Sequence, residues 1–241
     1  MRKGIAGEEK SEMFGMKTTK FTDLGVKGYR DVWQQQEELL ANVVEKKSRG
    51  EKTSNYLLFV EHPSVYTLGK SGDEANMLIN GIQLQAKHAE FIKVDRGGDI
   101  TYHGPGQLVA YPIIDLENFG LGVKEYVDRL EDVVIRTIAG YGIKGGRLAG
   151  ATGVWLDAGT LRARKICAIG VKCSRYVTMH GFALNVNTDL KYFSYINPCG
   201  FIDKGVTSIE KETGIQIDMK EVKERVADNF SSVFGMDFIY S

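Results

Sequence analysis

Cys199 stands between Pro198 and Gly200 in the stretch Asn197-Pro198-Cys199-Gly200, which has the composition of a loop rather than of an apolar face. A thiol in that setting is a candidate nucleophile. Its ordinary pKa is roughly 8.5, so only a few per cent is thiolate at neutral pH, and a nucleophilic Cys199 needs a neighbouring cation or base. The candidates are Lys165 and the four histidines, His62, His88, His103 and His180. Lys165 shares side-chain parity with Cys167, Ile169 and Val171 on a strand expected over residues 163–172. If that face is buried, Lys165 loses water and its pKa falls, which suits it to proton transfer. An exposed lysine at a strand end is the competing reading. His180, before Gly181, reads equally well as a hydrogen-bonded structural histidine, and His88 lies in a polar surface stretch. Cys167 and Cys173 share one face of an alternating strand and read as core.

The second chemical feature is RGGDITYHGPGQLVAYPIIDL, Arg96 to Leu116. Gly97 and Gly98 let a backbone come close to another molecule, and Gly104-Pro105-Gly106 is turn chemistry. The apolar run from Leu108 onward predicts a buried strand. A glycine-lined loop on a core strand presents a ligand, or it simply connects two strands.

These residues need elements to hold them. The apolar spacing predicts helices over 29–47, 122–142 and 220–234. Strands are expected over 55–61, in a short segment near 64–69, at Ile92–Val94, and over 153–157, 163–172 and 178–186, with Gly145–Gly146 in a turn. Strands early and late with few helices between them predict an α+β fold: one domain, a mixed or antiparallel sheet flanked by helices. Residues 1–20 are expected to be a flexible tail and 21–241 the single domain.

Composition removes several function classes. Lys+Arg and Asp+Glu both number 31, so no overall field favours nucleic acid or an anionic membrane. No apolar run approaches a membrane span, and the N-terminal stretch has no secretory core. Three cysteines without a CxxC pair give neither a disulfide framework nor a zinc ribbon, which points to the cytoplasm. No Walker loop and no strand–GxGxxG–helix unit is present. Locally, residues 144–175 carry seven basic side chains against Asp157 alone, either a solvated rim or a docking surface for an acidic partner.

RGGDITYHGPGQLVAYPIIDL, ARKICAIG, HGFALNVNTDL and INPCG, in this order and spacing, resemble the octanoyl-[acyl-carrier-protein]:protein N-octanoyltransferases, or lipoate–protein ligase B enzymes, from about Leu58 to Ile209. The resemblance implies the biotin/lipoate ligase catalytic fold. It implies that Cys199 attacks the thioester of octanoyl-acyl carrier protein and that Lys165 lowers the thiol pKa and relays the proton. The acceptor would be a lysine of a lipoyl domain or of the glycine-cleavage H protein. Substrate-binding residues carried over are Arg96, Gly97, Gly98, Asp99, Ile100, Thr101, Tyr102 and His103, then Ala168, Ile169 and Gly170, then Gly181, Phe182 and Ala183. No cofactor, metal or ATP is implied, because thioester exchange is nearly balanced and amide formation runs downhill. ATP-dependent lipoate or biotin ligases share the fold but need no cysteine nucleophile, so the Pro-Cys-Gly stretch separates the two readings.

Overall fold

The computed structural model describes residues 16–197 and 204–240. In chain order its elements are β1 (Lys17–Val26), α1 (Tyr29–Ser48), β2 (Asn55–Glu61), β3 (Val65–Leu68), α2 (Gly81–Ala86), β4 (Glu90–Lys93), β5 (Ile100–His103), β6 (Gln107–Ile113), α3 (Val123–Ala139), β7 (Gly145–Leu148), β8 (Ala151–Leu156), β9 (Arg164–Ser174), β10 (Val177–Asn185), β11 (Gly205–Val206), α4 (Ile209–Thr213), α5 (Met219–Phe234) and β12 (Met236–Tyr240). A mixed sheet runs in the order β12-β1-β2-β6-β10-β9-β8-β7, with β11 alongside β9. β12, β1 and β2 are mutually parallel, and the run from β2 to β7 is antiparallel. A second sheet, β4-β3-β5, carries the glycine-rich segment.

Both faces of the large sheet are covered, which explains why β2 and β6 are apolar at nearly every position. Leu57, Phe59, Leu108 and Ala110 pack toward α3 and α5. The alternate residues Leu58, Val60, Val109, Tyr111 and Ile113 pack toward α1. α3 buries Tyr126, Leu130, Val133, Val134 and Ile138 as one stripe, as its spacing predicts. α5 starts at Asp218, whose carboxylate accepts from Lys220 N–H, and ends at Gly235 in the left-handed region.

Phe230 of α5 is fully buried and stacks on Phe182 of β10, with ring centroids 5.8 Å apart. It also meets Phe59 and Phe234. Phe230→Ala is expected to cost about 3–5 kcal/mol in urea unfolding, from lost burial plus the cavity left behind. A change below about 1 kcal/mol would show that this ring does not anchor α5.

Three expectations are corrected. The tail boundary moves, because Lys17–Lys20 already belong to β1, paired with Met236–Ile239; residues 1–15 lie outside the described residues. Gly145–Gly146 is strand, not turn: β7 pairs with Leu156 and Trp155, and a Cβ on Gly145 would stand 2.5 Å from Ile138 Cδ1. The third correction concerns Lys165 and is taken with the site.

Candidate active site

On the α1 side of the large sheet, four small residues leave a gap. Register places Ala168 opposite Ala183 and Gly170 opposite Gly181 on β9 and β10. These, with Val109 of β6, line a cavity of about 280 Å³. Its volume is the space that larger side chains would have filled. Ile169 and Phe182 also border it, although their side chains pack toward the α3–α5 core.

The glycine-rich segment closes this slot from above. Gly97 N–H donates to Val171 O (2.9 Å), and a Cβ on Gly170 would stand 2.9 Å from Gly97 O. Arg96 is buried and holds the segment down, giving Nη2 hydrogen bonds to Thr67 O and Oγ1, both 2.8 Å, and an Nη1 bond to Gly97 O (3.0 Å). Gly98 is in the left-handed region, and Asp99 accepts from Ile100 N–H and Asn76 Nδ2 (both 2.7 Å). Gly98, Asp99, Ile100, Thr101 and His103 reach the cavity. Tyr102 does not; it packs into the core of the small sheet and exchanges a hydrogen bond with Ser64 (3.0 Å). Gly97 contributes the backbone tie rather than a lining surface.

Lys165 reaches the cavity by a route that parity does not predict. Between Val154↔Cys167 and Trp155↔Lys165 the β8–β9 register slips, so β9 carries an extra residue. Such a bulge re-aims the side chains on one side of it. Ile166 and Cys167 both enter the α3–α5 core, whereas Lys165 lines the cavity with Ala168 and Gly170. It therefore does not share the face of Cys167, Ile169 and Val171. Gly153 of β8, at φ +123°, fits here because a Cβ would stand 2.5 Å from Cys167 O and 3.5 Å from Lys165 Cε. Lys165 Nζ lies 4.7 Å from the Trp155 ring centre, a cation–π geometry at the half-buried mouth. Lys204 and Gly205 line the same mouth, and Val206 pairs with Lys165. Cys199, with Pro198 and Gly200, lies outside the described residues.

The opposite end of the cavity is buried and polar, formed by Tyr29, Tyr111, His103 and His180. Sequence reasoning left out both tyrosines, as well as Gln107, Asn185 and Trp155. Gln107 and Tyr111 lie within the glycine-rich motif and Asn185 within HGFALNVNTDL without being singled out there, whereas Trp155 and Tyr29 belong to no motif, and α1 contributes Tyr29 from 67 positions before Arg96. His103 donates through Nδ1 to Gln107 Oε1 (2.8 Å), a role fixed by Gln107 Nε2 donating to Tyr102 O and Asn185 Oδ1. Burial pushes His103 well below the ordinary histidine value, and His62 down to about 4. His62 Nδ1–H donates to Lys27 O (2.7 Å), so its Nε2 accepts from Tyr111 O–H (2.9 Å).

His180 sits at φ +57°, where the β10–β6 ladder stops, and its N–H donates to Gln36 Oε1 (2.9 Å). Its Nε2–H donates to Asp95 Oδ1 (2.8 Å). Asp95 is held far below the ordinary carboxylate range, first by His180 and then by Lys172, its ion-pair partner. For His180, burial outweighs the pull of Asp95 and lowers the pKa, so Lys172 carries the charge.

These buried histidines predict acid sensitivity. His62 is neutral when folded down to about pH 4 but protonates near 6.5 when unfolded. Its contribution is complete above pH 6.5 and is lost as pH falls toward 4. Between pH 7 and 5 the loss is about 2 kcal/mol, with His103 adding in the same direction. Urea midpoints across that range report it, and a flat profile would contradict neutral buried histidines.

The basic run over residues 144–175 is largely neutralised in space. Arg147 pairs with Glu131 and Asp132, Arg164 with Asp157 and Glu212, and Lys172 with Asp95. Among the described residues, no helix is long and apolar enough to cross a membrane.

The chain matches the family model of the lipoyl protein ligase A/B catalytic domain over residues 28–231. It is 62% identical to an octanoyltransferase of Bacteroides fragilis over 205 residues, covering 85% of this chain and 93% of that one. Identity to an octanoyltransferase of Flavobacterium johnsoniae is 53% over 230 residues, covering 92% and 99%. A bi-partite lipoate protein ligase of Thermoplasma acidophilum superposes with a TM-score of 0.67 at 16% identity, covering 93% of this chain and 87% of that one. Lipoate-protein ligase A bound with ATP gives 0.64 at 15%, covering 94% and 88%. At such identities the two structures establish the α+β fold alone. The slot, its glycine-rich cover and the lysine at its mouth thus lie on a known scaffold, and the chain belongs to the lipoyl protein ligase A/B catalytic domain family and, within it, to the octanoyltransferases.

Proposed function

We propose that this acyltransferase moves an octanoyl group from an acyl-carrier-protein thioester, through a thioester on Cys199, to a lysine of a lipoyl domain or the glycine-cleavage H protein. The observation that carries the reading is the slot of small residues that runs from Lys165 inward, beneath the glycine-rich segment. Burying an octanoyl tail there stabilises the bound acyl group by about 5 kcal/mol, at roughly 0.8 kcal/mol per methylene.

In the first step the Cys199 thiolate attacks the carbonyl carbon. A carbon–sulfur bond to Cys199 forms, the bond to the carrier breaks, and Lys165 passes the thiol proton to the departing carrier thiolate. In the second step the acceptor amine attacks. The carbon–nitrogen bond forms, the Cys199–carbon bond breaks, and the proton shed by nitrogen returns to sulfur through Lys165. Within Ala168–Gly170, whose other edge is paired with β10, the backbone N–H on the edge facing away from β10 is the candidate oxyanion donor, since the β8 pairing of β9 ends at Cys167. Both steps take place in the cytoplasm without nucleotide.

The test is an assay with octanoyl-acyl carrier protein, a lipoyl domain and no ATP. Octanoylation of one lysine is expected. Acylation that requires ATP and free octanoate would replace this reading with a ligase.

A further inference from the structure

His180 at the buried end of the slot, and two α1 residues beside it that do not themselves line the cavity, carry hydrogen-bonding groups that meet no partner among the described residues. His180 lines the cavity and is 1% exposed; its Nε2–H is committed to the Asp95 carboxylate, which leaves Nδ1 as a bare acceptor. Nδ1 meets no donor among the described residues. Two buried donors in the same condition, Trp33 Nε1 and Gln36 Nε2, lie one turn apart on α1 and adjacent to His180. The Trp33 and His180 ring centres are 6.5 Å apart. Gln36 Oε1 accepts from His180 N–H, and this fixes which end of the amide remains as donor.

Two donors and one acceptor are the complement of an sp³ oxygen that accepts twice and donates once. We propose that His180, Trp33 and Gln36 form a subsite for one neutral hydroxyl-type oxygen, a resident water, at the inner end of the acyl slot, and that this subsite sets acyl length. The inference rests on the octanoyl-transfer reading. His180 pairs with Val171, three strand residues beyond Ala168, about 10 Å at roughly 3.4 Å each. That matches an extended octanoyl chain whose carbonyl lies beside Ala168. A longer alkyl chain must displace the oxygen and leave all three groups unpaired, whereas a chain ending in a hydroxyl replaces it.

The experiment compares octanoyl, nonanoyl and ω-hydroxyoctanoyl carrier-protein thioesters, the last two being matched in length. Wild type is expected to use ω-hydroxyoctanoyl over nonanoyl by about tenfold in kcat/KM. In Trp33→Phe and Gln36→Leu that ratio is expected to fall toward one. Octanoyl transfer with equal use of the two longer donors by wild type, or variants that keep the wild-type ratio, overturns the subsite alone. Absence of octanoyl transfer by wild type overturns the proposed function, and the subsite with it.

Discussion

Cys199→Ala is expected to reduce octanoyl transfer by at least about 10⁴-fold while leaving the fold intact. The acyl group has no other proposed carrier, and the direct route requires carrier and lipoyl domain to present both reacting atoms to one slot at once. Residual activity then reflects only orientation within the slot, since catalysis by a nucleophile splits one hard displacement into two easier ones. Cys199→Ser separates position from nucleophilicity. A hydroxyl in the same place is hardly ionised at neutral pH, so it is expected to be nearly as inactive as alanine. Steady-state transfer to a lipoyl domain, with thermal unfolding as the control for fold, measures both variants. Retention of more than about a tenth of wild-type activity in Cys199→Ala would remove the covalent mechanism.

The second large effect is at Lys165. Lys165→Ala is expected to lower kcat/KM at pH 7 by about 10³-fold: in the proposed mechanism, loss of the cation assigned to lower the thiol pKa returns it toward its ordinary value of roughly 8.5, and loss of the proton relay adds the larger share. The two parts separate with pH. As pH rises past 8.5 the thiolate part recovers, so the deficit narrows by about tenfold but does not close. Lys165→Arg keeps a cation that cannot give up its proton, and is expected to recover the thiolate part alone. A Lys165→Ala profile parallel to wild type at every pH would place this lysine outside the proton path. The geometry makes that outcome unexpected, because the β9 bulge turns Lys165 out of the core and into the slot, over the Trp155 ring.

That bulge also marks where sequence reasoning stops. Period-two alternation assigns Lys165 to the face of Cys167, and one extra residue in β9 reverses the assignment. Nothing local announces it; the Gly153 backbone that accommodates it comes from another strand. Periodicity served well where one element meets one apolar layer, as in α3, or two, as in β2 and β6. β1 escaped notice because Lys17, Lys20 and Asp23 interrupt its apolar residues, and only Thr19 and Phe21 are buried. β12 is short and ends the described chain, and its partner β1 lies over 200 residues away. The glycine-rich cover of the slot was legible, since Gly97 and Gly98 sit where backbone meets backbone. The role of Arg96 as the clamp on Thr67 was not, and neither was the pairing of His180 with Asp95, 85 positions apart. The first depends on how β3, β4 and β5 assemble in the small sheet, the second on that sheet folding over the large one.

The most direct measurement is the intact mass of the protein after mixing with octanoyl-acyl carrier protein, without ATP. The account predicts a gain of one octanoyl group that hydroxylamine removes, that passes to an added lipoyl domain, and that is absent from Cys199→Ala. No adduct without ATP, together with acylation of the lipoyl domain from free octanoate when ATP is supplied, would contradict it.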